Sequence, residues 1–240
     1  MKPKPYMLFV SDVHIIDSDD PKYLKLINLI KSDEAKQADS FVLLGDILDF
    51  YFGAKAYFRD KFKELSTALK ELSDSGVQII FMEGNHEFGM IGDPSFSEFV
   101  PKEDFIEMKL GDKNLLLSHG DLIFADQAYI RFRSVIKNRT IQWFAKTFFT
   151  GKFLDRYALW HAKKSRSKST KRKMDHKGIL DHAMKFADKK NSDMFVFGHF
   201  HVPYDQKNPD NTKHMLSMNS WVDKPNYLKI SEDEVLRVSV

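Results

Sequence analysis

A chain of 240 residues is long enough for one large domain, or for one domain carrying an insertion, and can bury most of its apolar surface without cross-links. It contains no cysteine, which excludes disulfides, thiol nucleophiles and thiolate metal sites, so any metal must be held by His, Asp, Glu or Asn. The net charge of +3 hides an asymmetry: residues 131–173 hold 14 Lys or Arg and one acid, Asp155, for a net +13, which leaves −10 on the remainder.

The basic start Met1-Lys2-Pro3-Lys4-Pro5 is followed by an apolar stretch, Tyr6 to Val10, too short for the core of a signal peptide. No stretch approaches the roughly 18 apolar residues of a membrane span. The expectation is a cytoplasmic protein, with contact with a membrane surface left open.

In chain order, Tyr6 to Val10 reads as a buried strand ending at Ser11-Asp12, and Leu24, Ile27, Leu29 and Ile30 suit a helix. Phe41 to Leu44 is a second strand ending at Gly45-Asp46, followed by a helix around Phe62, Leu65, Leu69 and Leu72 that stops near Gly76. Val77 to Met82 is a third, ending at Glu83-Gly84-Asn85-His86, and Leu115 to Leu117 a fourth, ending at Ser118-His119-Gly120-Asp121. Alternation of this kind predicts a layered α/β fold with polar residues gathered along one edge, at the C-terminal ends of the strands.

The pattern then changes to about fifty helical residues. Tyr129, Phe132 and Ile136 share a face, Ile141, Phe144 and Phe148 continue the spacing, Gly151 interrupts it, and Phe153, Tyr157 and Trp160 follow. Residues 125–174 are read as an inserted helical cap, with 1–124 and 175–240 as the core. The core resumes with a helix from Lys177 to Lys189 and a strand, Met194 to Phe197, ending at Gly198-His199-Phe200-His201. Met215 to Trp221, Tyr227 to Ile230 and Val235 to Val240 are expected to be antiparallel strands that close the second sheet.

Five short groups therefore stand at strand ends: Asp12-Val13-His14, Gly45-Asp46, Gly84-Asn85-His86-Glu87, Ser118-His119-Gly120 and Gly198-His199-Phe200-His201. Each alone is as easily a turn or a cap; the five in this order point to metal chemistry. Imidazole nitrogen with carboxylate and amide oxygen suits Mn²⁺, Fe or Zn. The Asp46 carboxylate has two oxygens and can bridge two ions, while Asn85 adds a neutral oxygen that limits the negative charge of the site. Two cations roughly 3.5–4 Å apart polarise a phosphoryl oxygen and activate water for in-line attack.

This order of motifs resembles the calcineurin-like metallophosphoesterase superfamily across the whole core. The resemblance implies a four-layer α-β-β-α sandwich with an inserted helical cap, and two divalent ions, Mn²⁺ the expected pair. Asp12, His14, Asp46 and His201 would hold one ion, and Asp46, Asn85, His119 and His199 the other. His86 would stabilise the transition state or protonate the leaving oxygen, with Glu87 orienting it, so that His86 and Asp46 are the catalytic candidates.

A narrower resemblance rests on Gly45-Asp46-Ile47-Leu48-Asp49-Phe50, His119-Gly120-Asp121, residues 126–133 and the Ser-Lys-Arg-rich stretch 163–170. These look like UDP-2,3-diacylglucosamine pyrophosphatases of lipid A synthesis, which release UMP and a lipid monophosphate. Their helical insertion covers the acyl chains. On that basis Asp126, Tyr129, Ser165 and Lys168 in the cap, with Asn85, His86 and His199 at the metals, are the candidate substrate-binding residues. One motif departs: the better-studied members carry Gly-Asn-Arg-Asp where this chain has Gly84-Asn85-His86-Glu87, the pattern of general phosphoesterases.

The alternatives are a general metal-dependent phosphodiesterase or phosphatase acting on small nucleotides or phosphoproteins, and a non-catalytic scaffold, which the intact set of metal positions disfavours. The basic run Lys163, Lys164, Arg166, Lys168, Lys171, Arg172 and Lys173 could bind nucleic acid, but a nucleic-acid role needs no aromatic cap. Trp143, Phe144, Phe148, Phe149, Phe153, Tyr157 and Trp160 exceed what short helices can hide from each other, which favours a lipid groove or an anionic membrane surface as partner. Asp17, Asp19 and Asp20 are read as a loop or helix cap, Asp49 as a residue orienting a ligand His, and His161, His176, His182 and His214 as structural or exposed.

Overall fold

The computed structural model describes residues 5–169, 175–222 and 224–240, and the side chains of these except in 161–169. The elements run β1 (Tyr6–Val10), α1 (Pro21–Ile30), α2 (Asp33–Lys36), β2 (Ser40–Leu43), β3 (Tyr51–Phe52), α3 (Ala56–Lys61), α4 (Lys63–Asp74), β4 (Gln78–Phe81) and β5 (Glu87–Phe88). They continue with β6 (Ile106–Leu110), β7 (Lys113–Ser118), α5 (Gln127–Ile136), α6 (Arg139–Phe148), α7 (Gly151–Ser169), α8 (His176–Lys189), β8 (Met194–Phe197), β9 (Asp205–Lys207), β10 (His214–Ser217), β11 (Asn226–Ser231) and β12 (Val235–Ser239).

Two five-stranded sheets form, ordered β12-β11-β1-β2-β4 and β6-β7-β8-β10-β9. Alternation within β1 explains how they stack. Tyr6, Leu8 and Val10 pack with Leu26, Ile27, Leu65 and Leu69 of α1 and α4, whereas Met7 and Phe9 meet Leu115, Leu117, Val196 and Leu216 of the other sheet. The outer face of that second sheet, through Leu116, Phe195 and Met215, is covered by Ile179, Ala183 and Ala187 of α8. Helix, sheet, sheet and helix follow in order, so the chain is the four-layer α/β sandwich that the resemblance implies.

Parallel pairing puts the C-terminal ends of β1, β2 and β4 at one edge, and likewise those of β7, β8 and β10. The third, two-stranded sheet of β3 and β5 joins the segments that follow the second and third motifs.

The last strands differ from the expectation. β11 and β12 extend the first sheet, β11 lying antiparallel to β1 with Met7 opposite Ile230, and β10 runs parallel to β8. Both sheet edges offer hydrogen bonds to an apolar strand, and strand periodicity does not say which edge accepts it. β3, β5, β6 and β9 also escaped the periodicity; β3, β5 and β9 are only two or three residues long, and β6 is an edge strand that interleaves Glu107 and Lys109.

Asp20 caps α1 by accepting from the Lys22 N–H at 2.9 Å, as read from its position. Asp126 and Asn138 cap α5 and α6 in the same way, yet neither helix buries any residue. Phe148 stays 63% exposed, Trp143 60% and Phe153 52%, so the aromatic residues of this stretch are not spent on packing it. Among the described residues no helix is long and apolar enough to cross a membrane.

Candidate metal centre

The first two motifs are zipped together by the backbone. The Asp12 N–H donates to the Gly45 carbonyl at 3.1 Å and the His14 N–H to the Asp46 carbonyl at 3.0 Å. To turn their side chains off the strand ends, Asp12, His14, Asp46, His199 and His201 all take positive φ, between 51° and 70°. Such backbone costs about 1–3 kcal/mol at each residue and persists where the surroundings dictate it, as at functional sites. Glycine is needed at position 84, because a Cβ there would stand 2.1 Å from Asp46 Oδ1.

Among the described residues three groups of donors result; one is His14, Asp49 and His86, and the other two flank Asp46. Asp12, His14 and His201 converge with their ligand atoms within 4.8 Å of one another, and so do Asp46, His119 and His199. His14 Nε2 is 3.2 Å from His201 Nε2, which is 3.2 Å from Asp12 Oδ1. Asp46 stands between the groups, its Oδ2 4.0 Å from His14 Nε2 and 3.4 Å from His119 Nε2. Asn85 joins the second group with Oδ1 at 3.2 Å from His119 Nε2. Asp12, His14, Asp46 and His119 are buried, His199, Asn85 and His86 half-buried and His201 exposed, so the centre opens to solvent on one side.

The donor set fits cations. His119 Nδ1 lies 2.8 Å from the Leu44 carbonyl, which can only accept, so a neutral His119 carries its proton there and turns a lone pair at Nε2 towards the Asp46 and Asn85 oxygens. Three acceptors meeting at one point require a positive charge between them. Without an ion that charge is a proton: burial opposes it, but Asp46 and Asp12 outweigh burial and push His119 up to about 10. Burial, reinforced by the charge on His119, pushes His199 down to about 4, which leaves its imidazole neutral and able to coordinate. Burial also opposes ionisation of the carboxylates, yet His201 and His119 hold Asp12 below its ordinary range, and His119, His86 and His14 hold Asp46 well below it.

His86 reaches the same centre, its ring 5.0 Å from that of His14. Its Nδ1 sits 2.6 Å from the Asp49 carbonyl and its backbone N–H donates to Asp46 Oδ1 at 3.0 Å. The expectation that Glu87 orients His86 is corrected here. Glu87 turns away, accepting from the N–H groups of Asp46, Leu48 and Gly84 at 3.0, 2.9 and 2.9 Å, and so ties the second motif to the third. Asp49 is buried with Oδ1 3.5 Å from His14 Nδ1, in keeping with an orienting residue.

Other parts of the site gave no readable signal. Ser11 Oγ donates to Asp12 Oδ2 at 2.7 Å, and Lys22 Nζ donates to the Val13 and His14 carbonyls at 2.8 and 2.5 Å; Ser and Lys at such places are common for many reasons. Of the cap candidates, Asp126 and Tyr129 have described side chains. Asp126 accepts from the Tyr129 N–H at 2.7 Å as the cap of α5, and the Tyr129 hydroxyl donates to Asp121 Oδ2 at 2.7 Å. The side chains of His161, Lys163, Lys164, Ser165, Arg166 and Lys168, and all of Lys171, Arg172 and Lys173, lie outside the described residues. His176 meets the Tyr204 hydroxyl at 2.5 Å, His182 the Gly178 carbonyl at 2.8 Å and His214 the Asp205 carboxylate at 2.5 Å, all structural contacts.

The chain is similar to several known proteins. A UDP-2,3-diacylglucosamine hydrolase from Neisseria gonorrhoeae is 32% identical over 141 residues, 56% of each chain, so the match spans about half the length of that relative. A protein of the same name from Photorhabdus laumondii subsp. laumondii is 25% identical over 97% of this chain and 98% of its own. A solved structure of an archaeal phosphodiesterase covers 98% of this chain and 99% of its own at a TM-score of 0.49 and 13% identity. The family model for calcineurin-like phosphoesterases matches residues 6–203, which contain every residue of the two donor groups, and this chain belongs to that family.

Proposed function

We propose that this chain is a dinuclear-metal hydrolase that cleaves the diphosphate of UDP-2,3-diacylglucosamine to UMP and 2,3-diacylglucosamine 1-phosphate. The observation that carries the chemistry is Asp46, whose carboxylate faces a His/Asp group on each side. Asp12, His14, Asp46 and His201 would hold one divalent ion, and Asp46, Asn85, His119 and His199 the other, with Mn²⁺ suited to imidazole and oxygen donors. When bound, the two ions supply the positive charge that polarises the diphosphate and activates water.

The chain's own residues then set direction. Asp49 fixes His86 from behind through its backbone carbonyl, so the other ring nitrogen holds or yields a proton at the oxygen of the departing phosphate. Asp46 keeps the two donor groups in register by facing His14 in one and His119 in the other, and the open side beside His86, His199 and His201 admits the anionic substrate. Water adds across one P–O bond, giving two monophosphates.

Support for a lipid substrate is twofold: relatives named for UDP-2,3-diacylglucosamine, and the exposed aromatic residues of α6 and α7. We take 125–174 as the cap that receives the acyl chains and, with Arg139, Lys146, Lys152 and Arg156, rests on an anionic membrane surface. Asp126, Tyr129, Ser165 and Lys168 remain its candidate substrate contacts. His86, standing where better-studied members carry Arg, favours a second reading, a general phosphodiesterase or phosphatase. Turnover of UDP-2,3-diacylglucosamine against bis(p-nitrophenyl) phosphate, with Mn²⁺, separates the two. Release of UMP is the expected result, and turnover of the small ester alone would establish the second reading.

A further inference from the structure

The segment 131–173 carries a single acid, and that residue is buried. Asp155, 6% exposed, lies on α7 and accepts from Lys61 Nζ at 2.8 Å and from the Tyr57 hydroxyl at 2.9 Å, both on α3. The Lys61 residue is half-buried with its side chain 6% exposed, and its Nζ stands 3.9 Å from Asp17, in the loop that follows Asp12 and His14. One turn before Asp155, the helix backbone presses on α3 so closely that a Cβ on Gly151 would be 2.4 Å from Tyr57 Cβ.

Gly151 and Asp155 are four residues apart and share one face of α7. Phe153, Tyr157 and Trp160 fall on the opposite face and are 52%, 55% and 58% exposed. Leu154, on the same face, packs against the core, and an apolar contact of that kind still lets a helix turn about its axis unless something specific stops it. A buried carboxylate shared by an ammonium and a phenol does so, since breaking it would leave Lys61 only the more distant and exposed Asp17 carboxylate as counter-charge.

We infer that Asp155 is a positioning residue that sets the rotation of α7, and through it the direction in which the aromatic face is presented to an extended apolar substrate. Asp155 touches neither the metal donors nor the reacting phosphate; it acts through Phe153, Tyr157 and Trp160. The inference rests on the lipid reading of the substrate, and the test keeps the two apart.

Asp155→Asn removes the charge and keeps the shape. The expected result is a KM for UDP-2,3-diacylglucosamine raised about tenfold or more with kcat nearly unchanged, unaltered Mn²⁺ content, unaltered turnover of bis(p-nitrophenyl) phosphate, and about tenfold faster amide hydrogen exchange across 151–160. The reversed pair, Asp155→Lys with Lys61→Asp, should recover both KM and exchange. Equal losses on the two substrates, or an Asp155→Asn enzyme with parental KM and exchange, would overturn the inference. If the parent does not turn over the lipid nucleotide, the substrate reading fails, and exchange in the single and reversed variants decides the role of Asp155 by itself.

Discussion

Glu87 accepts the backbone N–H of Asp46 at 3.0 Å with the same oxygen that takes the N–H of Gly84 at 2.9 Å. One buried carboxylate thereby fastens the turn that presents Asp46 to the turn that presents Asn85 and His86. Glu87→Gln keeps an acceptor but sets an amide NH₂ against backbone donors. The Mn²⁺ concentration for half-activation should rise about 10–100-fold, as for other residues that hold metal ligands in place. An unchanged activation curve would remove Glu87 from this role.

Metal removal should separate binding from proton transfer. Chelation is expected to abolish turnover and added Mn²⁺ to restore it. Asp46→Ala should lose both ions, because its carboxylate faces both donor groups. His86→Ala should keep them and lose about 10²–10⁴-fold in rate. Metal analysis beside turnover is the check, and normal metal occupancy in Asp46→Ala would falsify the shared ligand.

The exposed aromatic residues allow a substrate test at little cost to folding. Phe148 and Phe153 are 63% and 52% exposed and Phe149 37%, so replacing the three with Ser should leave the melting temperature nearly unchanged. Hydrolysis of UDP-2,3-diacylglucosamine should fall, since each acyl methylene buried contributes about 0.8 kcal/mol, while bis(p-nitrophenyl) phosphate is cleaved as before. A matching fall on both substrates would mean these residues support the core instead.

Stability at high pH should depend on Tyr23. Its hydroxyl accepts the Leu65 N–H at 2.9 Å in the first turn of α4, which has no side-chain cap of its own. Burial is the main reason its pKa is pushed up to about 12, from 10.0. A raised value favours the neutral phenol in the folded state, so this contribution is complete below pH 10 and is lost as pH rises through 12. Tyr23→Phe should cost about 1 kcal/mol at pH 7, like loss of a helix cap, and should flatten the alkaline limb of the stability curve. Denaturant melts at pH 7 and across pH 9–11 measure both; an identical alkaline slope in the variant would assign that limb to other groups.

The sequence alone placed the polar groups at strand ends, because each follows an apolar strand and parallel strands end at a common edge; that Asp12, Asp46, Asn85, His119 and His199 gather in one region was legible without tertiary information. It also marked 131–173 as a cationic, aromatic helical stretch, since composition and a 3.6-residue period are local properties. Tertiary structure alone decided the partner of β11, because either sheet edge satisfies the same backbone groups. It likewise decided that Glu87 serves three backbone N–H groups instead of the adjacent His86, a choice set by the direction of a buried side chain. Asp155 shows the division within one residue: its isolation among basic residues is visible in the chain, but its burial against Lys61 and Tyr57 depends on α3, about a hundred positions earlier, folding back beneath it.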